Sequence, residues 1–196
     1  MLCNDICMPG KVWASNGTYS LTRYDIGDMK DYEKIWEGTF SGSPIKDDKA
    51  FKEKRWAREL ENNDSVSFRI IHTESDTLLG EVTLDDLKSD VPELGIHLLE
   101  KHRGQGIGTD VIGMTLQALK QNGAFNRCIV KIFSDNRKSK VLFQKFGAKQ
   151  IGTEWEEYVE MIKKLAKDIG RDKLDGVLGQ PYEEKLRHIV VYQIDL

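Results

Sequence analysis

The chain has 196 residues, of which 39% are hydrophobic and 31% are charged, and its formal net charge is −3. This length is enough to bury a core, so we expect residues 1–196 to form a single domain. The charges are nearly balanced and spread along the chain, which argues against a nucleic-acid partner. No apolar run reaches the length of a signal peptide or the roughly 20 residues of a membrane span. We therefore expect a cytoplasmic protein with no membrane partner.

The cysteines and histidines predict no metal site. Cys3, Cys7 and Cys128 are odd in number and fit a reducing compartment better than a disulfide framework. Cys3 and Cys7 lack a second pair of ligands at zinc spacing, and Cys128 heads an apolar run that is typical of a buried strand. The four histidines do not follow metal-ligand spacing either.

The first part of the chain predicts a strand and two helices after a loose tail over residues 1–17. Polar and apolar residues alternate over 18–26, which indicates a strand. Asp28 is suited to cap a helix that ends near Gly38, and Asp47 and Asp48 are suited to the start of a second helix that ends near Glu61 and Asn62.

The middle part predicts an antiparallel meander followed by a long helix. Three strands are indicated over 65–73, 77–87 and 92–100, separated by short polar turns. A glycine-rich turn follows, and then an amphipathic helix that ends near Gly123.

The last part predicts alternating strands and helices. We expect a strand over 128–135, a helix over 136–148, a strand at 149–154, a helix over 155–170 and a final strand at 186–196. The helix and loop over 155–184 form an insertion between the last two strands.

The turn ahead of the long helix is suited to bind an anion. Its sequence is Arg103-Gly104-Gln105-Gly106-Ile107-Gly108, with three glycines and one guanidinium group. Backbone N–H groups at such a helix start can converge on a phosphate. A Walker loop would need Gly-Lys-Ser/Thr, and a dinucleotide fingerprint would need glycine where Thr109 stands. An ordinary glycine turn with an exposed arginine remains the structural alternative.

Three segments resemble the GNAT acetyltransferase superfamily. The turn matches that family's Q/R-x-x-G-x-G/A pattern, residues 93–98 are similar to the strand before it, and residues 136–148 are similar to its later N-x-x-S helix. The resemblance implies an α/β (α+β) fold with a mixed, mostly antiparallel sheet of about seven strands flanked by helices. The insertion then adds an extra helix between the last two strands.

The resemblance also implies an acetyl-CoA-dependent N-acetyltransferase that acts directly on a primary amine, such as a small amine, an antibiotic or a peptide N-terminus. The pattern is closest to the branch that acetylates ribosomal-protein N-termini and small amines. The implied coenzyme contacts are the pyrophosphate turn, three strand residues and two residues of the later helix: Arg103, Gly104, Gln105, Gly106, Ile107, Gly108 and Thr109; Ile96, His97 and Leu98; Asn136 and Phe143.

Some of these residues carry alternatives. Asn136 is equally suited to be a helix N-cap. Phe143 stands where the family often has a tyrosine that acts as the general acid. Phenylalanine cannot donate a proton, so Phe143 would form an apolar wall beside pantetheine and the general acid stays unidentified. A structural histidine is the alternative for the side chain of His97.

Two carboxylates are candidates for the general base that takes the proton of the amine. Glu93 is our first choice, because it precedes Arg103 by ten residues, where the resembled family often places its base. Glu81 on the neighbouring strand is the second. An ordinary surface charge is the alternative for both.

The insertion leaves three hypotheses open. It is suited to act as a lid or as a homodimer contact, and its acidic group, Glu154, Glu156, Glu157 and Glu160, is suited to attract a cationic acceptor. A solvated helix face explains the same acids. Two further functions also remain open: an acyl-CoA-binding module without catalysis, and an interaction protein that uses the helix at 155–169.

Overall fold

A computed structural model describes residues 8–39, 48–171 and 188–196. The fold is mixed α/β, with one mostly antiparallel sheet of eight strands and five α-helices among these residues. The strands are Val12–Ser15 (β1), Tyr19–Arg23 (β2), Val66–His72 (β3), Thr77–Asp85 (β4), Glu93–Leu98 (β5), Arg127–Phe133 (β6), Lys149–Glu154 (β7) and Ile189–Asp195 (β8). The helices are Met29–Thr39 (α1), Lys49–Glu61 (α2), Ile107–Asn122 (α3), Arg137–Gln144 (α4) and Glu156–Ile169 (α5).

The chain divides into two compact units, Met1–Cys128 with Asp195–Leu196, and Ile129–Ile194. In the first unit, β1 to β5 lie side by side in chain order, and each strand is antiparallel to the next. This confirms the meander that the three polar-bounded strands predicted.

The core of the first unit follows from the alternation of its strands. In β3, every second residue from Val66 to Ile70 is apolar and fully buried, and Leu21 of β2 and Val82 and Leu84 of β4 are fully buried as well. The predicted stripe of α3 is buried as well, with Val111, Ile112, Thr115 and Leu119 at 0% exposure. Packing of this kind fixes the strand register, because a slip by one residue would expose the whole set.

The sequence predicts a loose tail over residues 1–17, but the structure has a strand, β1, within it. Trp13 of this strand stacks on Phe68, with ring centroids 4.7 Å apart, and β1 pairs with β2. The aromatic contact and the backbone pairing order a four-residue segment whose own alternation is too short to predict a strand. Cys3 and Cys7 lie outside the described residues.

The second unit contains the later strands and helices. β8 pairs antiparallel with β7, from Glu154 opposite Ile189 to Lys149 opposite Gln193. α5 buries Val159 and Ile162, as its amphipathic pattern predicted. The part of the insertion beyond residue 171 lies outside the described residues.

Local capping signals placed two helices correctly. The Asp48 side chain accepts a hydrogen bond from the Phe51 N–H at the start of α2, and Asn136 accepts one from Ser139 at the start of α4. At α1 the sequence predicts Asp28 as the helix cap, but the structure has a different arrangement. Asp25 and Asp28 form a capping box around a 3₁₀ turn at Ile26–Asp28 that leads into the helix.

Candidate active site

The glycine turn has the backbone geometry of an anion site. Gly104 has φ of +76° and Gly106 has φ of +84°, in the left-handed region that favours glycine. A Cβ atom added at either position would meet nothing within 4 Å, so the backbone there faces open space. Gly106 is also the N-cap of α3, where the helix presents backbone N–H groups with no intrahelical partner. These features fit the diphosphate of a coenzyme.

Side chains hold the turn against the end of β5. Arg103 donates from Nε to the Leu98 carbonyl at 2.8 Å, and Gln105 donates to the Lys101 carbonyl at 2.8 Å. The Thr109 N–H donates to the Gly106 carbonyl at 2.8 Å, within the first turn of α3. Thr109, which the resemblance implies as a coenzyme contact, thus uses its N–H for a hydrogen bond within the helix.

A 3₁₀ turn at Glu100–His102 connects β5 to the glycine turn, and the backbone of β5 approaches β4 closely. Gly80 pairs with Leu98, and a Cβ atom at Gly80 would lie 2.1 Å from the His97 carbonyl oxygen. The Leu98 carbonyl already accepts the hydrogen bond from Arg103. Ile96 and His97 occupy the positions opposite Val82 and Glu81.

A row of polar side chains crosses one face of the sheet. Arg69 of β3 pairs with Glu81 of β4, and Glu81 pairs with His97 of β5. Residues directly opposite each other in an antiparallel ladder project to the same face. The structure therefore brings together Glu81 and His97, which the sequence assigned to different roles.

Glu81 has the properties of a general base. It is partly buried, and its Oε2 accepts a hydrogen bond from the Tyr24 hydroxyl at 3.3 Å. Burial raises the pKa of Glu81 to about 7, helped by the nearby carboxylate of Glu59. The Tyr24 hydrogen bond and Arg55 act in the opposite direction. A carboxyl group that titrates near neutral pH is matched to proton transfer under physiological conditions.

The neighbouring charges are committed elsewhere. Arg69 makes ion pairs with Asp28 at 2.7 Å and with Asp31 at 3.2 Å, so its charge is directed to the start of α1. Glu59 accepts hydrogen bonds from the backbone and the hydroxyl of Ser67, at 2.9 and 3.0 Å. The pKa of Glu81 therefore stays raised although Arg69 lies opposite it, because Arg69 already pairs with Asp28 and Asp31.

Aromatic rings surround the Tyr24 end of this row. Tyr24 packs edge-to-face on Tyr32 and on Trp56, with centroids 5.9 and 5.8 Å apart, and Tyr32 lies 5.1 Å from Trp56. Tyr24 is 1% exposed, and Trp36 belongs to the same cluster. Burial and the Glu81 charge raise the pKa of Tyr24, which stays protonated and donates to Glu81.

Glu93 lies elsewhere on the same strands. It pairs with Asp85, four ladder positions from the pair of Glu81 and His97. At about 3.4 Å per residue, this separates the backbones of the two candidate bases by about 14 Å. The structure therefore does not bring Glu93 and Glu81 into one site.

The second unit holds the remaining predicted residues. Asn136 caps α4, and Phe143 of the same helix is buried at 4% exposure. Two members of the acidic group have cationic partners, since Glu154 pairs with Lys131 at 3.2 Å and Glu160 pairs with Lys163 at 2.6 Å. These ion pairs weaken the attraction for a cationic acceptor.

The thiol of Cys128 is not activated as a nucleophile. Cys128 is buried, and burial raises the pKa of its thiol to about 12. Within the described ranges, no group of three or more potential ligands is arranged for a metal ion, and no helix has the length and apolar character of a membrane span.

Sequence reasoning missed Tyr24 as a partner of Glu81. The sequence contains part of the information, because Tyr24 follows Thr22 by two residues and therefore lies on the same side of the strand. Thr22 is the residue opposite Arg69. To infer that Tyr24 lies near Glu81, one also needs the register of β2 against β3 and of β3 against β4.

Comparisons with known proteins agree with this architecture. A sequence profile of the acetyltransferase (GNAT) domain matches residues 21–149. An N-acetyltransferase 9-like protein of Caenorhabditis briggsae is 26% identical over 140 residues, which are 65% of this chain and 67% of that protein.

Solved structures share the fold at low identity. The dodecameric structure of spermidine N-acetyltransferase from Vibrio cholerae has a TM-score of 0.65 and 15% identity, over 92% of this chain and 95% of that chain. A ribosomal L7/L12 alpha-N-protein acetyltransferase has a TM-score of 0.67 and 12% identity, over 95% of this chain and 94% of that chain.

Proposed function

Because the chain belongs to the GNAT acetyltransferase family, we propose that it moves the acetyl group of acetyl-CoA directly to a primary amine, with Glu81 as the general base. The observation that carries this choice of base is the position of Glu81 on the strand next to β5, where it accepts a hydrogen bond from Tyr24 and burial raises its pKa to about 7. Glu93 lies on the turn's own strand, but near its far end.

The first step prepares the nucleophile. An alkylammonium group has a pKa near 10, so it is protonated at neutral pH and cannot attack a carbonyl. The Glu81 carboxylate takes one proton from it, directly or through one water molecule. Tyr24 holds Oε2 of Glu81, and we assign the other carboxylate oxygen to the acceptor.

The second step is acyl transfer. The neutral nitrogen attacks the thioester carbon, a C–N bond forms, and the C–S bond breaks. The thiolate takes up the second proton that the nitrogen loses, through water, because Phe143 offers no proton donor at the place of the family's tyrosine. One amide, one thiol and one free proton are the products, and Glu81 returns the free proton to solvent.

The turn supplies affinity for the coenzyme. Gly104 and Gly106 face open space, and the amides of residues 104–108 at the N-terminus of α3 would bind the pyrophosphate of acetyl-CoA. Ile96, His97 and Leu98 would pair with the pantetheine arm through their backbones. Arg103, held by Leu98, would add positive charge beside the phosphates.

The acceptor class follows from the charge of the proposed base and from the neighbours. A carboxylate in a partly buried site favours a cationic amine over a neutral alcohol. One structural neighbour is a spermidine N-acetyltransferase and another is a ribosomal-protein alpha-N-acetyltransferase, and both names specify an amine. We therefore propose a small amine or a peptide N-terminus as the acceptor, in the cytoplasm. Self-association of the chain is part of the same proposal.

The test is release of free thiol from acetyl-CoA. The wild-type protein is mixed with acetyl-CoA and with either spermidine or a peptide with a free N-terminus, and an N-terminally blocked peptide is the control. We expect thiol release and a mass increase of one acetyl group with a free amine only. Coenzyme binding without thiol release with any free amine would instead indicate an acyl-CoA-binding module.

A further inference from the structure

Glu59 of α2 lies against the face of the sheet that carries Glu81. Its carboxylate accepts hydrogen bonds from the backbone and the hydroxyl of Ser67, at 2.9 and 3.0 Å. Ser67 of β3 pairs with Thr83 of β4, which stands two residues along β4 from Glu81. Ser67 is therefore the diagonal neighbour of Glu81, and residues at such positions share a face at about 7–8 Å. Ser67 thus anchors a second carboxylate beside the proposed base.

Neutral donors hold both carboxylates in place. Glu81 accepts its hydrogen bond from the hydroxyl of Tyr24, and Glu59 accepts both of its bonds from Ser67. Among the residues that the structure describes, neither carboxylate has an ion-pair partner. Two partly buried carboxylates at this distance disfavour each other's ionisation, because like charges repel strongly where water is excluded. The negative charge of Glu59 therefore favours the protonated form of Glu81.

Other titratable or charged groups also lie around Glu81. They are Tyr24 of β2, Arg69 of β3, Asp85 of β4, His97 of β5, Tyr32 of α1 and Arg55 of α2. Asp28 and Asp31 of α1 pair with Arg69. Burial is the largest cause of the raised pKa of Glu81, and the Glu59 charge is the second. The Tyr24 hydrogen bond and Arg55 lower that pKa, and Asp85 raises it less than Glu59 does.

We propose that Glu59 is a positioning residue for the acetyl transfer, a second carboxylate that Ser67 holds beside Glu81 and that makes Glu81 a stronger base. This inference rests on the proposed function, because it concerns the proton that Glu81 takes from the acceptor amine. An ordinary carboxylate is a weak base towards an ammonium group with a pKa near 10, and proton transfer becomes faster as the base becomes stronger. Glu59 acts through Glu81 and touches neither substrate nor coenzyme.

The pH dependence of kcat/KM for the acceptor tests this role, using whichever of spermidine or the free peptide the wild type acetylates. Ionisation of Glu81 alone should make kcat/KM about tenfold higher at pH 8 than at pH 6 in the wild type. Ionisation of the amine contributes equally in every variant, so the variants are compared with one another. For Glu59→Gln we expect the ratio of the two rates to be smaller than in wild type by about twofold or more, with the KM for acetyl-CoA unchanged.

Three more variants separate an effect on Glu81 from a loss of structure. Tyr24→Phe removes a hydrogen bond that favours the ionised carboxylate, so the ratio of rates should rise above that of the wild type. Glu59→Asp keeps the charge and should restore part of the ratio that Glu59→Gln loses. Glu53→Gln, on the solvent side of the same helix, should leave the ratio unchanged.

A second measurement needs no turnover. Glu81→Gln should raise the urea midpoint at pH 8, and the increase should be smaller in the Glu59→Gln background than in the wild-type background. If Glu59→Gln does not fold, Ser67→Ala takes its place in both experiments. The Ser67 hydrogen bonds lower the pKa of Glu59, so their loss leaves Glu59 less often charged and should change both results in the same direction.

The outcomes separate the two proposals. Equal ratios of rates in wild type and Glu59→Gln, or an equal gain from Glu81→Gln in both backgrounds, overturn the role of Glu59, while wild-type turnover leaves the proposed function intact. Wild-type protein without turnover on any free amine overturns the proposed function itself, and the inference with it.

Discussion

Replacing Glu81 by glutamine is the most informative perturbation, because it removes a charge that the fold disfavours. The pKa of Glu81 is raised from 4.5 to about 7. Because a tenfold change in an equilibrium constant corresponds to about 1.4 kcal/mol, this rise in pKa corresponds to roughly 3.5 kcal/mol, as an upper limit. Because the folded-state pKa is the higher one, this contribution to stability is present below pH 4.5 and is lost as the pH rises through about 7.

Glu81→Gln should therefore stabilise the protein in alkaline solution. At pH 8 the wild type carries an ionised carboxylate in a disfavoured environment, and the glutamine does not. We expect the free energy of unfolding of the variant to exceed that of the wild type by up to about 3.5 kcal/mol at pH 8, with the difference shrinking towards pH 5. Urea unfolding at both pH values measures it.

The control is Glu53→Gln, because Glu53 lies on the solvent side of α2 with 58% of its side chain exposed. This variant should show no such dependence on pH. A difference between Glu81→Gln and wild type that stays the same at pH 5 and pH 8 would refute the reasoning, since it would mean that Glu81 ionises as an ordinary surface carboxylate does.

The same substitution should lower activity while it raises stability. General base catalysis typically contributes about 10²- to 10⁴-fold, so we expect kcat/KM for the acceptor to fall by at least about 100-fold. In the wild type, kcat/KM should rise with pH through about 7, as Glu81 becomes ionised. That step should disappear in Glu81→Gln. A variant that keeps both the rate and the step would exclude Glu81 as the base.

Three further predictions test the remaining parts of the site. Gly106→Val should weaken acetyl-CoA binding at least tenfold in calorimetry, because valine disfavours φ of +84° and its side chain would occupy the open space of the turn; unchanged affinity would exclude the anion site. Glu93→Gln should keep kcat/KM within twofold, and a loss of about 100-fold would return the role of base to Glu93. Arg69→Met should lower the free energy of unfolding by about 1–3 kcal/mol, because Asp28 and Asp31 lose their shared cation; an unchanged urea midpoint would show that these ion pairs contribute nothing.

Local signals in the sequence predicted much of the fold. The alternation of the strands, the caps at Asp48 and Asn136, and the glycines before α3 each depend on residues within one turn or one strand. Such features are fixed by short-range sterics and hydrogen bonds, and the structure has them where the sequence placed them. β1 was missed because its order comes from the contact of Trp13 with Phe68, 55 positions further along the chain.

The arrangement of the candidate site was less predictable. The choice of Glu93 over Glu81 used its distance in sequence from Arg103, which contains no information on register. Tyr24 meets Glu81 across 57 positions of chain, and His97 meets it across a hairpin. The pKa of Glu81 depends on these long-range neighbours and on burial, neither of which follows from local spacing.

We propose that this protein acetylates a free amine and uses Glu81 to deprotonate it. The most direct measurement is the pH dependence of thiol release from acetyl-CoA, in wild type and in Glu81→Gln, with the acceptor that the wild type uses. We expect thiol release that rises through about pH 7 in the wild type, and a rate at least about 100-fold lower and without that rise in the variant. Equal rates and equal pH profiles in the two proteins would contradict the claim.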